Sequence, residues 1–137
     1  MKQILFFIGF LLIGNVVYGQ TGCDSIPEKF FRIFHQKGSD AAIDYIYSTN
    51  RFMKANIQAN IKVKTELKKI VSLLGKYNGH ELMEKKIVSN SYVQLYYLAK
   101  FDRQPLKFIF VLYKPVDVWQ LQKLKFDDKV AVGFNEK

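Results

Sequence analysis

Cysteine is all but missing from this chain. Cys23 is the only one in 137 residues, so no internal disulfide can form and the fold must rest on its apolar core. Histidine is also scarce, with only His35 and His80. One thiol and two separated imidazoles argue against a structural zinc site, which needs four closely placed ligands. No serine stands in a nucleophile-elbow pattern, and neither glycine-rich phosphate motif occurs. No repeat, low-complexity tract or interdomain linker interrupts the chain after its first residues. Acidic residues are few, 12 against 21 Lys and Arg, for a formal net charge of +9.

The chain opens MKQILFFIGFLLIGNVVYGQTGCD. Lys2, an apolar run from Ile4 to Ile13, and small residues at Val17 and Gly19 make a secretory signal peptide over residues 1–19, cut between Gly19 and Gln20. The run is shorter than the about 20 residues of a membrane span. Two other readings stay open: an uncleaved anchor, or a lipoprotein cut before Cys23. Gly22 suits the lipoprotein cut, but Gln20 stands where an aliphatic residue is wanted. The expected location is therefore outside the cytoplasm, periplasmic or secreted. Removing the leader takes away one basic and no acidic residue, leaving a formal charge of +8 on residues 20–137. Export argues against nucleic acid as the partner of that charge. It leaves a solvated cationic surface or an anionic envelope component, such as a lipid head group, an acidic glycan or an acidic protein.

The mature part reads as one domain. Ser25-Ile26-Pro27-Glu28 has the form of a capping box. After it, Ile26, Phe30, Ile33 and Phe34 fall at helical spacing, and Gly38 is a stop. Ser39 is a candidate cap for a second helix, with Ala42, Ile43, Ile46 and Tyr47 on one face. Arg51 to Ala59 is ambiguous between loop and helix. In a third helix Ile57, Ile61, Leu67, Ile70, Val71 and Leu74 form a stripe that ends at Gly75. After Gly79 the period changes to two. A weak strand is predicted over 81–86, and stronger ones over 92–101, 106–113 and 118–126. The order predicts an α+β domain: three N-terminal helices packed on a curved antiparallel sheet of about four strands.

Both faces of the second and third strands carry apolar residues. With Asp102-Arg103-Gln104-Pro105 as the turn, Phe101 is expected opposite Leu106, and Leu95, Tyr97 and Ala99 face the helices with Phe108, Phe110 and Leu112. The outer face then carries Tyr96, Leu98, Ile109, Val111 and Tyr113, with Lys100 opposite Lys107. An apolar centre with a polar rim has the anatomy of an interface, most simply one between two copies related by a two-fold axis.

The segments LLGKYNGHEL and YVQLYYLAKFDRQPLKFIFVLYKPVDVWQLQKLKFDD resemble small secreted bacterial proteins of the nuclear-transport-factor-two-like superfamily, whose cone-shaped fold is shared with ketosteroid isomerase. The resemblance covers about Ser25 to Asp128. It implies three helices laid across a bent sheet with a cavity between them. That superfamily holds enzymes, binding modules and dimerisation domains, so the likeness speaks to fold more than to function.

Candidates for lining such a cone are Phe31, Phe34 and Tyr45 from the helices, and Tyr97, Phe108, Phe110 and Trp119 from the sheet. Isomerase-type chemistry would need a carboxylate base and an acidic donor. Asp44 with Tyr45 and Tyr97 could be cast in those roles, but neighbouring helix positions point about 100° apart. The leading reading is an exported, non-enzymatic binding module. It holds a small apolar ligand in the cone or a protein partner on the outer sheet face, with no cofactor or metal and with a homodimer as one arrangement. The alternatives are a small isomerase or hydratase and a structural envelope protein.

Overall fold

The computed structural model describes residues 22–130; the leader, its cleavage point and the last residues lie outside them. Four helices come first: α1 (Ser25–Lys37), α2 (Ser39–Ser48), α3 (Arg51–Ala55) and α4 (Ile57–Leu74). Four strands follow, β1 (Tyr77–Ser89), β2 (Tyr92–Phe101), β3 (Leu106–Tyr113) and β4 (Gln120–Asp127). They form an antiparallel meander in the order β1-β2-β3-β4. The domain is thus α+β, with the helices packed on one face of a curved, unclosed sheet.

The helix starts are made differently from expectation. Ser25 is the first residue of α1 and does not cap it; Asp24 holds the cap position without a side-chain bond to the helix. The capping box fails because both acids have tertiary partners, Asp24 with Lys85 and Glu28 with His80. Ser39 likewise lies inside α2. The ambiguous segment resolves into α3, capped by Asn50, and the start of α4, capped by Asn56. The α4 stripe differs as well. Leu67 and Leu74 are buried and Val63, Ile70 and Val71 pack partly, but Ile57 and Ile61 face water. Ile61 lies about 120° around the helix from Leu67 at 100° per residue, and so cannot share its face.

In β1 the strand runs well beyond residues 81–86. Register shifts at Tyr77/Gly79, Leu82/Glu84 and Ile87/Ser89 interrupt its pairing with β2. Such bulges bend a strand and deepen its twist, and they also destroy the period-two pattern by which a strand is read. The hairpin register is corrected by two residues: Ala99 lies opposite Leu106, Tyr97 opposite Phe108 and Leu95 opposite Phe110. The reason lies in the turn. The N–H groups of Asp102 and Arg103 are held by the carbonyls of Lys76 and Leu74, so the chain follows the α4–β1 link before β3 begins. An even slip leaves each residue on its expected face. It does separate the two lysines: Lys100 pairs with Glu81 at 3.3 Å, and Lys107 sits near Asp127 at 3.9 Å.

The concave face is filled. Phe30, Phe31 and Phe34 of α1 meet Tyr97, Phe108 and Phe110, with ring contacts such as Phe30–Phe110 at 5.3 Å and Phe31–Phe108 at 5.4 Å. Edge-to-face and tilted contacts of this kind add to the area term.

Candidate functional site

The α1 residues Glu28, Phe31, Arg32 and His35 are spaced i, i+3, i+4 and i+7, so they project from one side of the helix. That side faces the first turn of β1, and between them lies an open cleft of about 540 Å³, lined also by Lys76, Tyr77, Asn78, Gly79 and His80. Gly75 (φ 84°) and Gly79 (φ 127°) shape the approach; both angles lie where side chains with a Cβ are strained.

At the wall of the cleft, the His80 ring lies on Phe31 at 4.3 Å with 12° between the planes. Both of its nitrogens are engaged. Nδ1 is 2.8 Å from the Tyr77 hydroxyl and Nε2 is 2.7 Å from Glu28 Oε2. With Nε2–H donating to Glu28, Nδ1 accepts from Tyr77. The other oxygen of Glu28 accepts from the Tyr97 hydroxyl at 3.3 Å. One carboxylate therefore joins α1 to β1 and β2. Burial, and then the charge of Glu28, push the Tyr77 phenol up to about 12; the same causes in the same order raise Tyr97. Arg32 and Lys76 supply cationic groups around the aromatic wall, with the His35 ring beside them.

Chemically, this arrangement holds shape. His80 has no ring nitrogen left for a substrate, and no thiol or serine hydroxyl lines the cleft. Among the described residues no three His, Cys, Asp or Glu side chains come together as metal ligands.

The seven residues expected to line a cone do not share one hollow. Phe31, Phe34, Tyr97, Phe108 and Phe110 are buried against one another in the core, and only Phe31 reaches the cleft. Tyr45 is half-buried under the Lys29 ammonium, and Trp119 is half-buried beneath Lys114 near the opposite end of the sheet. Asp44 is exposed and paired with Lys64. On the outer face Tyr96, Leu98 and Ile109 are half-buried, Val111 is buried and Tyr113 is exposed. The residues that sequence reasoning missed are Glu28, Tyr77 and His80. The i, i+3, i+4, i+7 spacing on α1 could have exposed Glu28. The pairing with His80 spans 52 positions and rests on a bulge, so no local pattern announces it.

Comparison with protein-family models, with curated proteins and with solved structures gives no match.

Proposed function

We propose that the chain is an exported, non-enzymatic binding module of the nuclear-transport-factor-two-like kind that its sequence resembles. Its ligand is a small amphipathic anion held at the surface, in the cleft between α1 and β1. The observation that carries this reading is the Phe31–His80–Tyr77 aromatic wall set among Arg32, His35 and Lys76. An apolar surface with a few convergent polar groups is the usual make-up of a small-molecule site. The packed aromatic interior leaves the concave side of the sheet to the protein's own rings, which moves the ligand from the cone to the cleft. Engagement of both His80 nitrogens favours binding over the isomerase or hydratase alternative. Titration with phenyl phosphate, with benzoate and with neutral benzyl alcohol, followed by NMR, tests the reading. The two anions should shift the His80 and Phe31 signals, and Arg32→Ala with Lys76→Ala should weaken them by about tenfold or more, the scale of a lost charge-assisted hydrogen bond. Equal shifts from the neutral alcohol, or none from any of the three, would refute it.

A second reading, a homodimer through the outer sheet face, is favoured by its apolar rows. Tyr96 pairs with Ile109 on the middle row and Leu98 lies on the next, all three half-buried, while the charges at that end are matched within the chain, Glu81 with Lys100 and Asp127 with Lys107. A two-fold axis perpendicular to the strands would set Tyr96 and Ile109 of one copy against those of the next.

A further inference from the structure

Two turns meet at the end of the sheet opposite the cleft. Tyr92 pairs with both Ser89 and Tyr113, and Tyr113 pairs with Gln120. The β1–β2 and β3–β4 connections therefore lie side by side, tied by the Lys114 N–H donating to the Ser91 carbonyl at 2.8 Å. Apolar side chains at the end of β1 and in the β3–β4 connection stand in water: Ile87 is 67 % exposed, Val88 64 %, Val116 78 % and Val118 73 %. Lys85, Lys86, Lys114 and Lys123 surround them; the acids nearby are Asp24 (paired with Lys85), Glu84 (at 4.0 Å from Lys86) and Asp117. The described chain also begins here. Gly22 lines the same hollow as Ile87, Asn90, Lys114 and Trp119, and residues 14–21 join it to the apolar run Ile4–Ile13.

We propose that this end of the domain docks on a membrane surface bearing anionic lipid, with the isoleucine and valine tips at head-group depth and the lysines on the lipid phosphates. Aliphatic tips on two separate turns, ringed by ammonium groups, fit a soft charged surface better than the flat contact of a folded partner. Apolar burial and attraction to anionic lipid then act together. No described helix is long and apolar enough to cross a membrane, so the contact is peripheral. It leaves the cleft facing away and does not depend on what the cleft binds.

Trp119, the only tryptophan in the chain, lines both hollows at this end and serves as the reporter. The full chain, processed as it is exported, is mixed with phosphatidylcholine vesicles with and without phosphatidylglycerol. On phosphatidylglycerol, Trp119 should become protected from acrylamide and should be quenched by brominated lipid. Val88→Glu with Val116→Glu should cut partitioning by about tenfold or more, the loss expected from keeping even one valine side chain out of the apolar phase. Leu73→Glu, exposed at the opposite end beside Arg103, should change nothing. All three sites are exposed, and circular dichroism checks that each variant folds. Absence of Trp119 protection would overturn the proposal. So would equal binding without phosphatidylglycerol, or vesicle attachment that leaves Trp119 open to acrylamide, which would place the attachment elsewhere on the chain.

Discussion

Glu28 is where local and tertiary demands compete. At the fourth position of α1 it could close a capping box, yet its two oxygens accept one hydrogen bond each from His80 and Tyr97. A charge-assisted bond to a half-buried partner outweighs an exposed cap. Tyr77, on the far side of His80, gives this network a pH signature. Its phenol is raised from 10.0 to about 12 on folding, first by burial and then by Glu28. The folded state holds the proton more tightly than the unfolded chain, so this contribution is complete below pH 10 and is lost as pH rises from 10 through about 12. Tyr97, raised by the same causes, acts in the same direction. Tyr77→Phe should therefore flatten the alkaline fall in stability while lowering stability slightly near neutrality, where the bond to His80 is missing. Urea unfolding at a series of pH values measures both. An unchanged alkaline slope would show that the Tyr77 proton is not linked to folding.

Among the elements, the junction of α2, α3 and β4 depends on two adjacent polar residues. Thr49 Oγ1 accepts from the Leu121 N–H at 3.0 Å, and Asn50 Nδ2 donates to the Leu121 carbonyl at 2.8 Å. The side-chain Oδ1 of Asn50 also accepts from the Phe52 and Met53 N–H groups, capping α3. As a sequence, Ser48-Thr49-Asn50 reads only as a helix end; in the fold it fixes where β4 starts. Asn50 is buried, so Asn50→Ala should cost about 2–4 kcal/mol, from a lost cap together with an unmet buried carbonyl. Asn50→Ser keeps a cap acceptor and removes the donor to Leu121 without adding a charge, so it should cost less than the alanine variant in the same denaturation experiment. Equal costs would mean that the bond to β4 matters more than the cap. In β1 the three bulges explain both the bend of the sheet and the weakness of the strand signal, since each adds a residue that shifts the alternation.

Viewed whole, the domain is polar along its strands. One end holds the aromatic cleft with Arg32, His35 and Lys76; the other holds the exposed aliphatic turns and the entry of the chain. Between them runs the outer face of the sheet, half-buried at Tyr96, Leu98 and Ile109. Self-association through that face predicts that the protein sediments as a dimer at micromolar concentration and that Ile109→Glu, on the middle row between Tyr96 and Lys125, sediments as a monomer with its fold intact. Wild type running as a monomer would remove the homodimer reading, and a dimer unaffected by Ile109→Glu would place the contact elsewhere. Val111 is a poorer probe: it is already buried within the single chain, so a charge there would disturb the sheet itself.

Sequence alone determined the order of helices before strands, the stops at Gly38 and Gly75, and which residues of β2 and β3 face inward. Each of these follows from a local rule: the change of period from 3.6 to two, the conformational freedom of glycine, the alternation of a pleated strand. The same rules lost β1, where bulges scramble the alternation, and they left the hairpin two residues out of register, because Leu74 and Lys76 hold the turn from outside it. Only the tertiary structure decided that the interior is filled and that Glu28, Tyr77 and His80 come together. Ring against ring across α1, β2 and β3 is a question of distance in space, and a carboxylate chooses its partner from whatever the fold brings within 3 Å or so, the reach of a hydrogen bond.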